Sequence, residues 1–308
     1  MLSYSGSLRR RTRKLRNTLA LISSADLWPS CTPVRTTWWD ALPNFGDLLT
    51  LELLPRYGLA PTLHHGTESE FFGIGSLLEH VPADFDGAVW GTGKHREESS
   101  VSLPRADVLA VRGALTREAL DLPESTPLGD PGLLVSRWIP RRRRRFTAGV
   151  IPHIRHAADP WVGELAERMG QDSMIIDVRA SPSRVIQQIS ACDLVLSSSL
   201  HGVVVADSYG IPALWDIPLG SMLGGDFKYR DYESAAVPGR SRRASFLALD
   251  SLSSAKKLAA AADASTVSAL GDVLEEQLEH FRREASPPIR PTRIFLEQFG
   301  RGPASRKG

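Results

Sequence analysis

The stretch that decides the fold reads LVLSSSLHGVVVADSYG and covers residues 194–210. Three apolar residues with strand character lead into a run of serines, and an apolar helical stretch from Val203 to Tyr209 closes at Gly210. Strand, polar turn and helix in this order are typical of one repeating unit of a parallel sheet. We therefore expect an α/β protein.

The same alternation recurs on both sides of this stretch. The sequence predicts strands at Val34–Trp39, Ala88–Trp90, Val108–Val111, Ala148–Ile151 and Met174–Val178. It predicts helices at Asp47–Tyr57, Ala114–Leu120, Trp161–Met169 and Ser183–Ala191, with one or two more over 253–283. These patterns indicate two doubly wound, Rossmann-like domains that face each other across a cleft.

Length and composition divide the chain in the same way. The 308 residues amount to about twice the usual domain size, and the basic, proline-bearing segment 137–146 is typical of a linker. We expect a basic flexible tail at 1–33, an N-terminal Rossmann-like domain at 34–136, the linker at 137–146, a C-terminal Rossmann-like domain at 147–285 and a tail at 286–308.

Charge and apolar runs limit the partners. The net charge is only +2, which disfavours a bulk polyanion, and the basic runs at 9–16 and 141–145 lack the interleaved aromatics of a nucleic-acid site. These runs suit either a peripheral contact with an anionic membrane or a solvated tail and linker. The two cysteines favour a reducing compartment, and no apolar run reaches the roughly 18 residues that span a bilayer. We expect a cytoplasmic protein, peripheral at most at the inner face of the cytoplasmic membrane.

Polar residues that follow predicted strands of the first half are candidate site residues, because ligands bind beyond the carboxyl ends of parallel strands. Asn44 can cap a helix, Gly46 permits a tight turn and Asp47 supplies a carboxylate; a plain capping turn is the alternative. Arg112 follows an apolar strand and needs an anionic partner, either a ligand or an internal carboxylate such as Asp130.

Two further junctions carry similar chemistry. The segment Gly91-Thr92-Gly93-Lys94 combines close backbone approach with a cation and suits an anion, although an ordinary loop is the alternative. His201 lies between a strand and a helix start beside serine hydroxyls, where an imidazole can exchange protons near neutral pH; a satisfied core histidine is the alternative. His153 repeats this position after strand 148–151.

These junctions, in this order, resemble the polysaccharide pyruvyltransferase family, and most closely the branch that makes ketals on exopolysaccharides such as xanthan and succinoglycan. The similarity spans roughly residues 36–236. The matching segments are 44–47, 91–93, 111–116, 129–134, 151–153, 198–202, 206–212 and 228–235.

The resemblance implies a fold like glycosyltransferase type B, phosphoenolpyruvate as the donor substrate, and neither a cofactor nor a metal. It also implies a hexose acceptor on a lipid-linked oligosaccharide. The pyruvyl group would bridge two hydroxyls of that hexose as a ketal, with release of phosphate. Many relatives carry an arginine two residues before the family histidine, where this chain has Ser199, so another cation must bind the donor here.

The resulting hypothesis assigns roles to thirteen residues. His201 is the leading acid/base, and Asp47 is a second catalytic group that acts as a base or orients a hydroxyl. Arg112 is the first choice for the donor-binding cation, before Lys94 and Arg155. The predicted substrate-binding residues are Asn44, Gly46, Gly91, Gly93, Lys94, Arg112, His153, Arg155, Ser198, Ser199 and Gly202. Two alternatives remain: a nucleotide-sugar-dependent glycosyltransferase of the same fold, and a non-catalytic polysaccharide-assembly protein.

Overall fold

The computed structural model describes residues 31–218 and 224–285, and within them the strands form two parallel sheets. The strands are Thr32–Thr37 (β1), Leu59–Leu63 (β2), Phe71–Phe72 (β3), Ala88–Thr92 (β4), Asp107–Val111 (β5), Ala148–Ile151 (β6), Ser173–Ile175 (β7), Val195–Ser197 (β8) and Ala213–Trp215 (β9). The first sheet has the order β2-β1-β3-β4-β5 and the second β7-β6-β8-β9, with every neighbouring pair parallel.

Helices connect these strands, as parallel pairing requires. They are Phe45–Leu53 (α1), Ala114–Ala119 (α2), Val135–Trp138 (α3), Pro160–Met169 (α4), Pro182–Ser190 (α5), Leu200–Ser208 (α6), Phe227–Ala236 (α7), Leu252–Leu258 (α8) and Ala264–Glu284 (α9). Short 3₁₀ turns cover Leu54–Tyr57, Gly66–Glu68, Leu78–His80 and Pro131–Leu134. The predicted α/β class with parallel sheets is confirmed, whereas the likeness to glycosyltransferase type B stays a prediction.

Local sequence explains where α1 begins and ends. The Asn44 side chain accepts a hydrogen bond from the backbone N–H of Gly46, which satisfies one of the free donors at the helix start. The chain stays helical as far as Tyr57, but Pro55 lacks an N–H and the last turn tightens to 3₁₀. Gly58 then adopts a φ of 74°, which only glycine takes without strain, and the helical segment stops where the sequence predicts.

Strand β7 is shorter than the sequence predicts, because its end serves the other domain. We predicted a strand over Met174–Val178, whereas β7 ends at Ile175. The Val178 carbonyl accepts a hydrogen bond of 2.8 Å from the backbone N–H of Phe45, at the start of α1. Helices α1 and α5 also pack together. The segment after β7 therefore joins the two domains instead of extending the sheet.

Helix α9 crosses back to the first domain. The sequence division places it in the C-terminal domain, but it contacts strands β4 and β5 of the first sheet. The indole N–H of Trp90 donates to the Leu274 carbonyl at 2.9 Å, and Phe281 packs on Phe71 with ring centroids 5.0 Å apart. By packing, residues 264–284 therefore belong with the first sheet.

The predicted tails lie almost wholly outside the described residues. The exception is at 32–33, where the structure corrects the boundary of the N-terminal tail, since β1 already begins at Thr32 and pairs there with Leu59 of β2. The basic run at 9–16 lies outside the described residues. In the part of the chain that the structure describes, no helix combines the length and the apolar character needed to cross a membrane.

Candidate active site

The two domains meet where β1 leads into α1 and β8 leads into α6. His201 stands in the first turn of α6, and its ring lies directly against Gly46 in the first turn of α1. A Cβ atom on Gly46 would lie 2.2 Å from Nδ1 of His201, far inside contact distance. The predicted glycine thus lets the imidazole of one domain lie on the helix start of the other.

Asp47 stands beside this contact, in the same turn of α1. Its Oδ2 accepts a 2.7 Å hydrogen bond from the Asn44 side-chain amide, which fixes the carboxylate in place. Burial raises the pKa of Asp47, while the positive charges of His201 and Lys228 and the hydrogen bond from Asn44 oppose the rise. A carboxylate with a raised pKa is a better proton acceptor than an exposed one.

The other side of the His201 ring faces Asp130. The distance from Nε2 to Oδ2 is 3.6 Å, within reach of an ion pair but too long for a hydrogen bond. Neither atom has a hydrogen-bond partner among the described residues, although both are buried. Asp130 is itself held in place, because its Oδ1 accepts from the backbone N–H of Gly132 at 2.9 Å. His201 therefore lies between two groups of the first domain, Gly46 and Asp130.

Arg112 does not fit the donor-binding role predicted for it. Its guanidinium is fully buried and donates at Nε to Asp231 (2.8 Å), at Nη1 to the Ser76 hydroxyl (2.6 Å) and at Nη2 to the Lys94 carbonyl (2.6 Å). The alternative, an internal salt bridge, is the arrangement that the structure shows. Its carboxylate is Asp231, however, and not Asp130.

Asp231 makes this pair part of a clamp between the domains. It stands in α7 and also accepts hydrogen bonds from the backbone N–H and the hydroxyl of Thr116 in α2, both at 2.7 Å. Nearby, the backbone N–H of Ala114 donates to the Ser234 hydroxyl at 2.8 Å. Gly113 is required here, since a Cβ would lie 1.7 Å from the Asp231 carbonyl oxygen.

The glycines and lysine of segment 91–94 also serve packing. A Cβ on Gly91 would lie 2.4 Å from Pro131, and one on Gly93 would lie 2.4 Å from the guanidinium carbon of Arg112. Lys94 is buried, donates from Nζ to the Glu97 carbonyl at 2.9 Å and lies 5.8 Å from the ring centroid of Phe227. These contacts support a structural role and offer no open anion site.

Histidines of the second domain surround the end of β6. The backbone N–H of His153 donates to the Ser198 hydroxyl at 2.8 Å, and Nδ1 of His156 lies 3.1 Å from the same oxygen. Burial, followed by nearby positive charges of which Lys228 is the strongest, lowers the pKa of His153 to about 3. Arg155 follows, with its backbone N–H 3.3 Å from Nδ1 of His153 and its side chain exposed.

Lys228, in the first turn of α7, is the site residue to which the sequence analysis gave no role. It is only 7% exposed, and within residues 31–218 and 224–285 its Nζ has neither an ion pair nor a hydrogen bond. Nζ lies 5.4 Å from the ring centroid of Tyr229. Burial and the charge of Arg112 lower the pKa of Lys228 to about 8, against the opposing effect of Asp47. Lys228 is therefore a buried cation close to Asp47.

Two further predicted residues shape the turn before His201. The backbone N–H of Ser199 donates to the Ser197 hydroxyl at 3.0 Å, and Ser197 donates in turn to the Ser199 carbonyl at 2.7 Å. A Cβ on Gly202 would lie 2.3 Å from the Ser197 hydroxyl oxygen. Gly202 is thus needed for close packing inside the turn, whereas its predicted contact with substrate has no support in the geometry.

A buried charge network that the sequence analysis missed supports α6 and α7 from behind. Arg242 donates to both carboxylate oxygens of Asp207, at 2.6 and 2.9 Å, and to Glu233 at 3.0 Å. The Tyr232 hydroxyl donates to Asp207 at 2.7 Å. Bidentate pairs of this kind are rigid, so the helices that carry His201 and Lys228 are held together.

Comparison with known proteins finds similarity over part of this chain. Residues 87–215 match the family model for polysaccharide pyruvyl transferase. An uncharacterized protein of Acanthamoeba polyphaga mimivirus is 34% identical over 116 residues, which cover 36% of this chain and 40% of that protein. The succinoglycan biosynthesis protein ExoV of Rhizobium meliloti (strain 1021) is 26% identical over 215 residues, which cover 67% of this chain and 66% of that protein.

Both matches thus span less than two thirds of the relatives' own lengths. Among solved structures, an alpha-glucosyltransferase in complex with UDP and DNA aligns over 88% of this chain and 99% of its own, at 9% identity and a TM-score of 0.33. The matched family region contains Arg112, Asp130, His153 and His201. The similarity to the polysaccharide pyruvyl transferase family thus covers residues 87–215, which is less than half of the chain.

Proposed function

We propose that this protein transfers the pyruvyl group of phosphoenolpyruvate onto two hydroxyls of a hexose in an exopolysaccharide repeat unit, forming a ketal and releasing phosphate. The observation that carries the proposal is the meeting of His201 and Asp47 from opposite domains, with Asp130 behind the imidazole. Ketal formation needs one group that gives a proton to the methylene carbon and one that takes the proton of the hydroxyl that attacks the adjacent carbon. A histidine and a carboxylate with a raised pKa supply that combination.

The family and one relative support the reaction class and the kind of acceptor. The family is described as polysaccharide pyruvyl transferase, and the Rhizobium meliloti relative is named for the biosynthesis of succinoglycan. On this basis we assign a sugar of a polysaccharide repeat as acceptor and phosphoenolpyruvate as donor, with neither a redox cofactor nor a metal.

The first step joins one sugar hydroxyl to the donor. Protonated His201 gives a proton to the methylene carbon of phosphoenolpyruvate, which becomes a methyl group. The hydroxyl oxygen attacks the adjacent carbon, and Asp47 takes the hydroxyl proton. Asp130 stabilises the positive charge of the imidazolium and acts as a positioning residue. It lies 3.6 Å from Nε2 and needs only a small movement to accept its hydrogen bond.

The second step closes the ketal. The bond between the central carbon and the phosphate oxygen breaks, and its electron pair stays with the phosphate, which takes the proton held by Asp47. The second hydroxyl attacks the same carbon and gives its proton to His201. The imidazole is then protonated again, so both catalytic groups return to their starting states. General acid–base assistance of this kind contributes about 10²–10⁴ in rate.

We assign a lipid-linked oligosaccharide as the form of the acceptor, and the inner face of the cytoplasmic membrane as the place where the enzyme meets it. The support is the run of five arginines from Arg141 to Arg145, all of them exposed. Trp138 is partly exposed just before this run. Arginines beside an aromatic residue suit a peripheral contact with anionic lipid.

The test is to incubate the purified protein with phosphoenolpyruvate and synthetic galactosides, mannosides and glucosides. We expect phosphate release together with a gain in sugar mass equal to pyruvic acid less one water. The same sugars are offered with nucleotide sugars in parallel. Hexose transfer from a nucleotide sugar, without phosphate release from phosphoenolpyruvate, would replace the proposal with the glycosyltransferase alternative.

A further inference from the structure

We propose that Lys228 binds the phosphate of the donor, as the central cation of an anion site formed with the polar groups at the ends of strands β6 and β8. This inference rests on the proposed function for the identity of the donor, but the anion site itself can be tested without it. Many relatives carry an arginine two residues before the family histidine, where this chain has Ser199. The inference assigns Lys228 as the cation that replaces that arginine.

The first support is the burial of Lys228 with neither an ion pair nor a hydrogen bond to its Nζ among the described residues. An isolated ammonium group is costly to bury, and proteins normally pair it with a carboxylate. Lys228 is 7% exposed, and no carboxylate of the described residues lies within ion-pairing distance of its Nζ. A buried cation without a partner is stabilised once an anion binds to it, so the position favours an anionic ligand.

The second support is the electrostatic balance around Lys228. Arg112, whose charge is felt at Lys228, is already neutralised by Asp231, so it does not compete for the ligand. The charge of Lys228 lowers the pKa of both His153 and His156, so these rings lie close to it on the second-domain side. Asp47 is the carboxylate that acts on Lys228, and Asn44 already holds it. Lys228 is therefore the cation of this group that is left to meet an anionic ligand.

The third support is the rigid attachment of Lys228 to the catalytic turn. Tyr229, the next residue, donates from its hydroxyl to the Ser198 carbonyl at 2.7 Å and stacks on Trp215 with ring centroids 4.5 Å apart. Ser198 lies three residues before His201. The first turn of α7 therefore keeps a fixed position relative to the imidazole, as a preorganised anion site requires.

This placement gives Lys228 a definite part in the reaction. When the bond between the central carbon and the phosphate oxygen breaks, the electron pair remains on the phosphate and its negative charge increases. The Lys228 ammonium group stabilises that charge while the phosphate takes the proton held by Asp47. His201 and Asp47 are then left to handle the methylene and hydroxyl protons.

The test measures binding of inorganic phosphate and of phosphoenolpyruvate by isothermal titration calorimetry, without any sugar. We expect Lys228→Met to weaken phosphate binding by about tenfold or more. The matched control is Lys256→Met, which removes an exposed lysine of α8 and should leave binding unchanged. Lys228→Met should melt no earlier than the wild type, since it removes an unpaired buried charge.

Wild-type phosphate affinity in Lys228→Met would overturn the inference. If that variant melts early, Lys228→Arg decides, since restored binding supports the anion site and continued loss of binding refutes it. Phosphate binding that depends on Lys228, together with no pyruvyl transfer to any sugar, would keep the anion site and reject the proposed function. The two failures are therefore distinguishable.

Discussion

Two buried cations stand close to each other at the junction of the domains, and they differ in their partners. Arg112 of the first domain donates to Asp231, to Ser76 and to the Lys94 carbonyl, so its guanidinium is bonded at all three nitrogens. Lys228 of the second domain has neither an ion pair nor a hydrogen bond among the described residues. In the sequence, its position after a strand made Arg112 the first choice for the cation that binds the donor. The bonded partners of Arg112 in the structure argue against that role, and the lack of such partners favours Lys228.

This difference distinguishes a cation with a structural role from a cation that can bind a ligand. A buried charge with every donor satisfied is held in place as part of the fold, whereas a largely buried charge without a bonded partner at a domain junction is a candidate contact for a ligand. The same contrast holds for other groups at the junction. Arg242 is paired with Asp207 and Glu233, while Nε2 of His201 and Oδ2 of Asp130 face each other without a hydrogen bond. Substitution of a paired charge should lower the stability of the fold. Substitution of an unpaired group should weaken donor binding or catalysis and leave stability nearly unchanged.

The largest expected effect is on turnover at His201. Replacing His201 with glutamine keeps a polar side chain but removes the acid and base, so kcat should fall by about 10²–10⁴-fold. Phosphate affinity and melting temperature should stay close to those of the wild type. His280→Gln, at an exposed histidine of α9, is the matched control and should retain full activity. Near-normal turnover in His201→Gln would remove His201 from the mechanism.

Stability distinguishes the two cations most directly. Arg112→Met leaves the Asp231 carboxylate buried without its partner, so we expect a loss of about 3–5 kcal/mol in the free energy of unfolding. Lys228→Met should cost nothing or stabilise the protein slightly. Chemical denaturation of both variants measures the difference directly. An equal loss of stability in the two variants would mean that Lys228 is a structural residue as well.

A smaller effect is expected at Asp130. Asp130→Asn keeps the hydrogen bond from Gly132 but removes the charge that faces Nε2 of His201, so kcat should fall by about 10–10²-fold. KM for phosphoenolpyruvate should change little, because Asp130 acts through the imidazole of His201 and is not assigned to donor binding. A matched rise in KM with unchanged kcat would contradict a positioning role.

The smallest effect is a pH dependence of donor binding. The lowered pKa of Lys228, about 8, keeps its ammonium group charged below that pH and neutral above it. We therefore expect a constant Kd for phosphate from pH 7 to about 8, and weakening by about tenfold for each further pH unit. The titratable and charged groups that face Lys228 are Asp47, Arg112, His153 and His156.

Stability gives an independent check of this assignment. An unfolded lysine titrates at its ordinary pKa of 10.5, above the folded value of about 8. The unfolded state therefore binds more protons between these values, and the contribution of this group to stability rises with pH across that window. Lys228→Met should lack that rise. A donor affinity that stays constant up to pH 10 in the wild type would exclude Lys228 as the phosphate ligand.

The alternation of strands and helices could be predicted because its signals are local. Gly58 ends the first helical segment, Asn44 caps it, and β6 occupies the predicted residues Ala148–Ile151. Where the structure differs from the prediction, contacts with residues distant in the sequence determine the element. Strand β7 is short because Val178 bonds to Phe45 of the other domain, and α9 packs on strands that precede it by more than a hundred residues. No local pattern carries that information.

The site could be predicted only in part, for the same reason. Asn44, Gly46, Asp47 and His201 lie where a strand leads through a turn into the next helix, and the structure brings them together. The partner of Arg112 is 119 residues away in the chain, so the sequence could not tell a structural arginine from a ligand. Segment 228–235 matches the family pattern, but that match gave Lys228 no role, since what distinguishes this lysine is the lack of a bonded partner in three dimensions.

The path of the chain also limits how the two domains can move. The polypeptide passes between them once before β6 and once more before α9, and the Arg112–Asp231 pair joins them at a third, buried point. These three connections restrict rotation of one domain relative to the other, because rotation about any two of them strains the third. We expect the relative position of the two domains around His201 to be set by the fold itself. Acceptor selection would then depend on this fixed arrangement more than on closure of the domains around the sugar.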